Sequence, residues 1–249
     1  MSSKYEFPTG LYFQLMFAML FQKRRDFHAD ALACIKTLKP PLCVLGAEHI
    51  PSRGPCLIVM NHYARPGFQV WWISMAISSL LGRPHTWMIT SEWTAPGQWY
   101  EPIKGVWSRF ASRRLAQVYG FLQMPPMPPR PQDVAARAAS VRAALTYVEE
   151  TPEAVLCIAP EGRDMPEGKL GWPASGTGRF LSLLAERGLS IVPVGGWEQA
   201  GALTVRFGAG YRLNVERGAK AEARDRHAME IVMRSIAAQL PESVRGEFA

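Results

Sequence analysis

The 249-residue chain predicts an α/β protein: a mostly parallel central sheet flanked by helices, with an N-terminal helical pair. Three observations predict it. Short apolar runs bounded by Gly, Pro or charged residues alternate with longer helical stretches, which is the pattern of parallel strands with helices on both faces. The chain is 48% hydrophobic and 20% charged, so a sizeable core can form and disorder is not expected. No internal repeat and no convincing linker divides the chain, so it reads as an α/β domain over 41–249 behind a helical, membrane-interfacial or core-packed segment over 1–40.

The elements follow in order. Leu11 to Phe21 is apolar on nearly every side and is followed by Lys23, Arg24 and Arg25. It is shorter than the ~20 residues a spanning helix needs. Its basic cluster comes after the apolar run, whereas a secretory signal has it before. Two readings stand: a helix lying in the interface of an anionic membrane, or a helix packed on the protein's own core. Phe27 to Thr37 completes the pair, and Lys39-Pro40-Pro41 ends it. Strands are expected at Leu42–Gly46, Cys56–Met60, His85–Thr90, Val118–Met124, Ala154–Ala159, Ser190–Val194 and Leu203–Phe207. The last alternates apolar and polar residues, as an edge strand does. Helices are expected from near Pro66 to Leu81, at Gln98–Gln117, at Gln132–Glu150 with Asp133 as its cap, at Thr177–Arg187 and at Glu222–Gln239. Pro125 to Pro131 is a stiff loop.

One strand end stands out. The apolar run Cys56–Met60 stops abruptly at Asn61-His62, and ligands of open α/β sheets bind beyond the carboxyl ends of the strands. A helix starting near Pro66 would direct its positive dipole end at His62 and keep the ring neutral, as a general base requires. Alone, His62 is better read as a strand-end histidine that bonds the backbone. Two other loops belong to the same edge of a parallel sheet: Ser91-Glu92-Trp93, and the charged turn Pro160-Glu161-Gly162-Arg163-Asp164. His49 and His85 sit in or beside turns and read as solvated. Cys34, Cys43, Cys56 and Cys157 form no CxxC pair, so free thiols and no zinc site are expected. The net charge of +7 favours anionic partners. It is dispersed rather than clustered, which argues against nucleic acid. The Gln98–Gln117 stretch mixes Lys104, Arg109, Arg113 and Arg114 with Trp99, Tyr100, Trp107 and Phe110; it fits either a solvated basic helix face or a face for a membrane or acidic ligand.

The order of these motifs resembles the glycerolipid acyltransferases, the group that includes lysophosphatidic acid and glycerol-3-phosphate acyltransferases. Asn61-His62 matches the start of their first motif, Pro160-Glu161-Gly162 with Arg163 their third, and Ile191-Val192-Pro193-Val194 their fourth. Val44-Leu45-Gly46, Ile50-Pro51 and Gly54-Pro55 resemble the approach to the first. The likeness covers about 42–213. It implies transfer of a fatty acyl group from acyl-CoA or acyl carrier protein to the hydroxyl of a lysophospholipid or related precursor, as in phospholipid biosynthesis. His62 would be the base, and Asn61, Arg65, Pro160, Glu161, Gly162 and Arg163 would line the acceptor pocket. It implies no metal and no bound cofactor beyond the acyl donor, and a cytoplasmic protein peripheral at the inner face of the membrane. The sequence departs from the family pattern at Gly67, where the family has the Asp that orients the His. Glu92 and Asp164 are the acids that could replace it. The second motif lacks its Arg, as Gly120 to Pro126 contains none. These departures leave a second reading, a non-catalytic lipid- or acyl-binding protein on the same fold.

Overall fold

The computed structural model describes residues 5–93, 101–215 and 220–249. Trp99 and Tyr100 of the basic aromatic stretch lie outside them. Among the described residues seven strands form one sheet: β1 (Cys43–Leu45), β2 (Cys56–Met60), β3 (Thr86–Thr90), β4 (Leu122–Met124), β5 (Val155–Ile158), β6 (Ser190–Gln199) and β7 (Ala202–Phe207). Their order across the sheet is β1-β7-β6-β2-β5-β3-β4. Neighbours run parallel except β6 and β7, which form an antiparallel pair. β2 lies between β5 and β6 and all five of its residues are buried, as expected of a strand covered on both faces.

Among the described residues, seven α-helices accompany this sheet: α1 (Thr9–Phe21), α2 (Phe27–Ile35), α3 (Trp71–Leu80), α4 (Glu101–Tyr119), α5 (Val134–Glu150), α6 (Thr177–Glu186) and α7 (Ala221–Ala237). One apolar cluster joins the sheet to α2 and α3 through Cys34, Ile73, Ile77 and Val194. A second joins it to α5, α6 and α7 through Ala144, Leu181, Leu184, Val232 and Ile236. α1 differs from the rest. Only Leu11 and Ala18 of it are buried. Tyr12, Phe13, Met16, Phe17, Leu20 and Phe21 are exposed, as are Val106, Trp107 and Phe110 of the adjoining α4.

Five expectations are corrected. β7 is not an edge strand: it lies between β1 and β6, and its alternation does not track exposure, since Thr204 is buried and only Ala202 and Arg206 are partly exposed. β4 begins at Leu122, because Val118 and Tyr119 complete the last turn of α4. α3 begins at Trp71 rather than near Pro66, since Arg65 to Phe68 closes a turn of its own. His85 is not solvated: its ring bonds the Ser78 hydroxyl at 2.8 Å and the Arg83 carbonyl at 3.0 Å, and burial lowers its pKa. Asp133 does precede α5, but its carboxylate is spent on Arg130, 2.6 Å away, rather than on a helix amide. Cys34, Cys56 and Cys157 are buried free thiols, and Cys43 is exposed on the edge strand.

Candidate active site

His62 follows the last residue of β2, at the carboxyl edge of the parallel strands. Asn61 fixes that strand end. Its amide donates to the Gly196 carbonyl at 2.8 Å and accepts from the Gly196 N–H at 2.7 Å, and the residue is 1% exposed. This reciprocal pair ties β2 to β6. Gly196 is required there, because an added Cβ would lie 2.5 Å from Ile73 of α3. Asn61 therefore has its polar atoms committed to the fold, one residue from His62.

After His62 the chain turns twice before α3. The Phe68 N–H donates to the Arg65 carbonyl at 2.9 Å, and Pro66 and Gly67 occupy the middle of the turn. Gly67 has φ +80°, so this is the Pro-Gly signature of a type II turn. Fully buried Phe68 anchors it between Tyr5 and Tyr63. Arg65 pairs with Glu198 of β6, which also accepts from the Tyr5 hydroxyl at 2.8 Å. The Arg65 guanidinium is thus already engaged within the protein.

The 160–171 segment folds over this turn. Buried Glu161 holds both loops together. One carboxylate oxygen accepts from the His62 N–H at 2.6 Å, and the other from the Gly171 N–H at 2.8 Å. Desolvation pushes its pKa up to about 7, against the two amides that lower it. Gly168 passes so close to Tyr63 that an added Cβ would lie 2.8 Å from its ring.

The same segment brings Asp164 to the imidazole. Its carboxylate stands 3.0 Å from His62 Nδ1. The approach is close but off-axis, since Nδ1 is buried and has no aligned hydrogen bond. Unliganded sites commonly hold such contacts loosely until substrate binds. The proximity of His62 holds the Asp164 carboxyl below the ordinary range. The carboxylate stands on the Nδ1 side, so Nε2 is the ring nitrogen that faces away from it. The helix-dipole argument for a neutral ring does not apply, because α3 starts nine residues after His62. Of the two replacement acids, Glu92 is engaged elsewhere: Arg130 and Arg109 hold its carboxylate at 3.0 and 3.2 Å. Those two guanidiniums outweigh the burial that would raise it, and its pKa is lowered.

Arg163 is exposed next to Asp164, and its charge acts on Glu161. Pro160 and Gly162 form the rim of a cavity of about 180 Å³. Met88, Met124, Val141, Ile158 and Phe180 supply most of its apolar wall. Sequence reading found the rim but not the cavity, whose walls come from β3, β4, β5, α5 and α6. Among the described residues no group of His, Cys, Asp or Glu could hold a metal ion.

Glu161 yields a pH prediction for stability. The unfolded carboxyl releases its proton near 4.5, whereas the folded one keeps it to about 7. The folded state therefore holds more protons between these values. This contribution to stability is complete below pH 4.5 and is lost as pH rises through 7. Glu161→Gln should remove that slope from a plot of Tm against pH. It should also lower Tm by about 5 °C at neutral pH, because one buried N–H would face an amide donor rather than an oxygen. An unchanged slope would show that Glu161 does not titrate there.

No protein-family model matches the sequence, and no curated protein matches it either. Among solved structures, the chain is similar to the 1-acyl-sn-glycerophosphate (LPA) acyltransferase PlsC from Thermotoga maritima. The identity is 16%, the TM-score is 0.49, and the match covers 90% of this chain and 86% of that one.

Proposed function

We propose that the protein is an acyltransferase that moves a fatty acyl group from a thioester donor, acyl-CoA or acyl carrier protein, to a hydroxyl of a lysolipid. The observation that carries this reading is Asp164 beside His62, with both motif loops of the resemblance joined by Glu161 at one strand edge. The acceptor hydroxyl gives its proton to His62 Nε2 while its oxygen attacks the thioester carbonyl. The tetrahedral adduct then expels the thiolate, which recovers the proton from the imidazolium. Asp164 supports the imidazolium charge at Nδ1. Exposed Arg163 is placed to meet an anionic group of donor or acceptor. No metal or resident cofactor is needed for these steps.

The apolar cavity under Pro160 and Gly162 fits the start of the acyl chain. At about 180 Å³ it holds on the order of six carbons. Val141→Trp should fill it, lower kcat/KM for long-chain donors about tenfold and leave short-chain donors nearly unchanged. An equal loss on all chain lengths would place the chain elsewhere.

We place the protein on a membrane surface, at the cytoplasmic face. α1 has 13 residues, about 20 Å of helix against ~30 Å of hydrocarbon. No helix among the described residues is long and apolar enough to cross a membrane. The exposed stripes of α1 and α4 fit a helix pair lying in the plane of the interface. Lys23 sits over the Phe17 ring and Arg114 over Phe110, so cations border the apolar stripes.

The test is thiol release by the purified protein, with acyl-CoA and acyl carrier protein donors offered against a panel of lysophospholipids. Acceptor-dependent release supports the reading. Acyl-lipid binding with no release on any pair would make the protein a binding module.

A further inference from the structure

At the edge of the sheet opposite His62 lies an open depression of about 380 Å³. Arg24, Arg113, Gln117, Gly120, Phe121 and Gln123 border it. Its location follows from the strands. Gly120 and Phe121 directly precede β4, and the Gly120 carbonyl accepts from Thr86, the first residue of β3, at 2.8 Å. His62 instead follows the last residue of parallel β2. A five-residue strand separates the two edges by roughly 15 Å. The depression therefore does not belong to the site already described.

Three features make it a site for an anion. Arg24 comes from the α1–α2 link, which is docked by the Arg25 N–H on the Val118 carbonyl at 3.0 Å. It lies against Gly120, where an added Cβ would be 3.1 Å from its guanidinium. Arg113 faces the same space from α4, and among the described residues no acid borders it. Two guanidiniums of like charge thus share one depression without a carboxylate. In addition, Gln117 Oε1 is buried and has no hydrogen-bond partner among the described residues, which is costly unless a donor arrives. A phosphate carrying a hydroxyl-bearing substituent satisfies both guanidiniums and this oxygen.

The depression also continues the apolar face. Phe21 and Lys23 lie three and one residues before Arg24, and Phe110 and Arg114 lie on either side of Arg113 in α4. A membrane lying on α1 and α4 would bring its headgroups here. We propose that the Arg24–Arg113 depression binds the phosphate of an anionic glycerophospholipid headgroup, as a second lipid site apart from the active site. This rests on the membrane-lying reading of α1 and α4.

The test is co-sedimentation of the full chain with phosphatidylcholine vesicles, and with the same vesicles containing phosphatidylglycerol. The R24Q/R113Q variant is compared with K23Q/R114Q, which removes equal charge from the same face but outside the depression. Lys23, Arg24 and Arg113 are exposed and Arg114 is half-buried over the exposed Phe110 ring, so none of the four belongs to the core and folding is preserved. A diffuse surface effect is about fivefold per charge and equal in both pairs. The proposal expects R24Q/R113Q to lose about tenfold more of the phosphatidylglycerol-dependent affinity than K23Q/R114Q. It also expects sn-glycerol 3-phosphate to compete with the wild type and not with R24Q/R113Q. Equal losses in both pairs overturn it. So does inorganic phosphate binding at the arginines with vesicle binding unchanged, which would make this a free-phosphate site. Wild-type binding to phosphatidylcholine with no gain from phosphatidylglycerol overturns the headgroup site and leaves the membrane face standing. Binding to neither vesicle removes both.

Discussion

His62→Ala is expected to lower acyl transfer about 10³-fold at unchanged Tm, the usual share of a positioned general base. The substitution separates chemistry from structure for a specific reason. Glu161 holds the turn through the backbone N–H of residue 62, not through its ring, and alanine keeps that N–H. The neighbouring Asn61 clamp on Gly196 is likewise untouched. The ring itself is 19% exposed and makes no aligned hydrogen bond at Nδ1, so its removal costs the fold little. Steady-state rates and a melting curve on the same preparation check this. Activity within tenfold of wild type would exclude His62 as the base and return it to the role of a strand-end histidine.

The sheet was readable because its strands are nearly continuous apolar runs with hard stops. Cys56–Met60 and Val155–Ile158 are buried on both faces, and their sequence has no polar face to confuse. Boundaries failed where two local preferences competed. Val118 and Tyr119 favour strand by type, yet they complete a 19-residue helix whose end carries the docked α1–α2 link. Pro66 favours a helix start, but Pro66-Gly67 fits the turn closed by Arg65 and Phe68 still better. The site divides in the same way. His62 and the Glu161 to Asp164 loop stand at strand ends, so their shared edge follows from parallel strand order alone. Which acid meets the ring depends on how the 160–171 segment crosses the turn, and that path is set by Glu161 bridging to Gly171 and by Gly168 against Tyr63. Glu92 has an equivalent strand-end position but is held by Arg109 and Arg130, from α4 and the loop before α5. Such long-range pairings leave no periodic trace in the sequence.

Asp164→Asn should reduce turnover about 10²-fold with little change in KM. Neutralising the acid behind a catalytic histidine costs about 10⁴ in serine proteases, where that acid is buried and its amide replacement holds the wrong tautomer. The Asp164 side chain is 64% exposed, so solvent screens its charge and the smaller factor is expected. Gly67→Asp offers the opposite test, because it places a carboxylate where the resembling family carries one. It should not restore activity to Asp164→Asn. Residue 67 is at φ +80°, in the second central position of a type II turn, a backbone state that costs a non-glycine residue about 1 kcal/mol or more. Its carboxylate would also start beside the Arg65 guanidinium, 3.8 Å from the new Cβ, and that cation would compete with His62 for it. A double variant that regains wild-type turnover would show that the turn can reshape and that the orienting acid can act from either loop. Failure of rescue, with Asp164→Glu retaining most activity, would fix the acid in the 160–171 segment and explain why glycine at position 67 is compatible with catalysis.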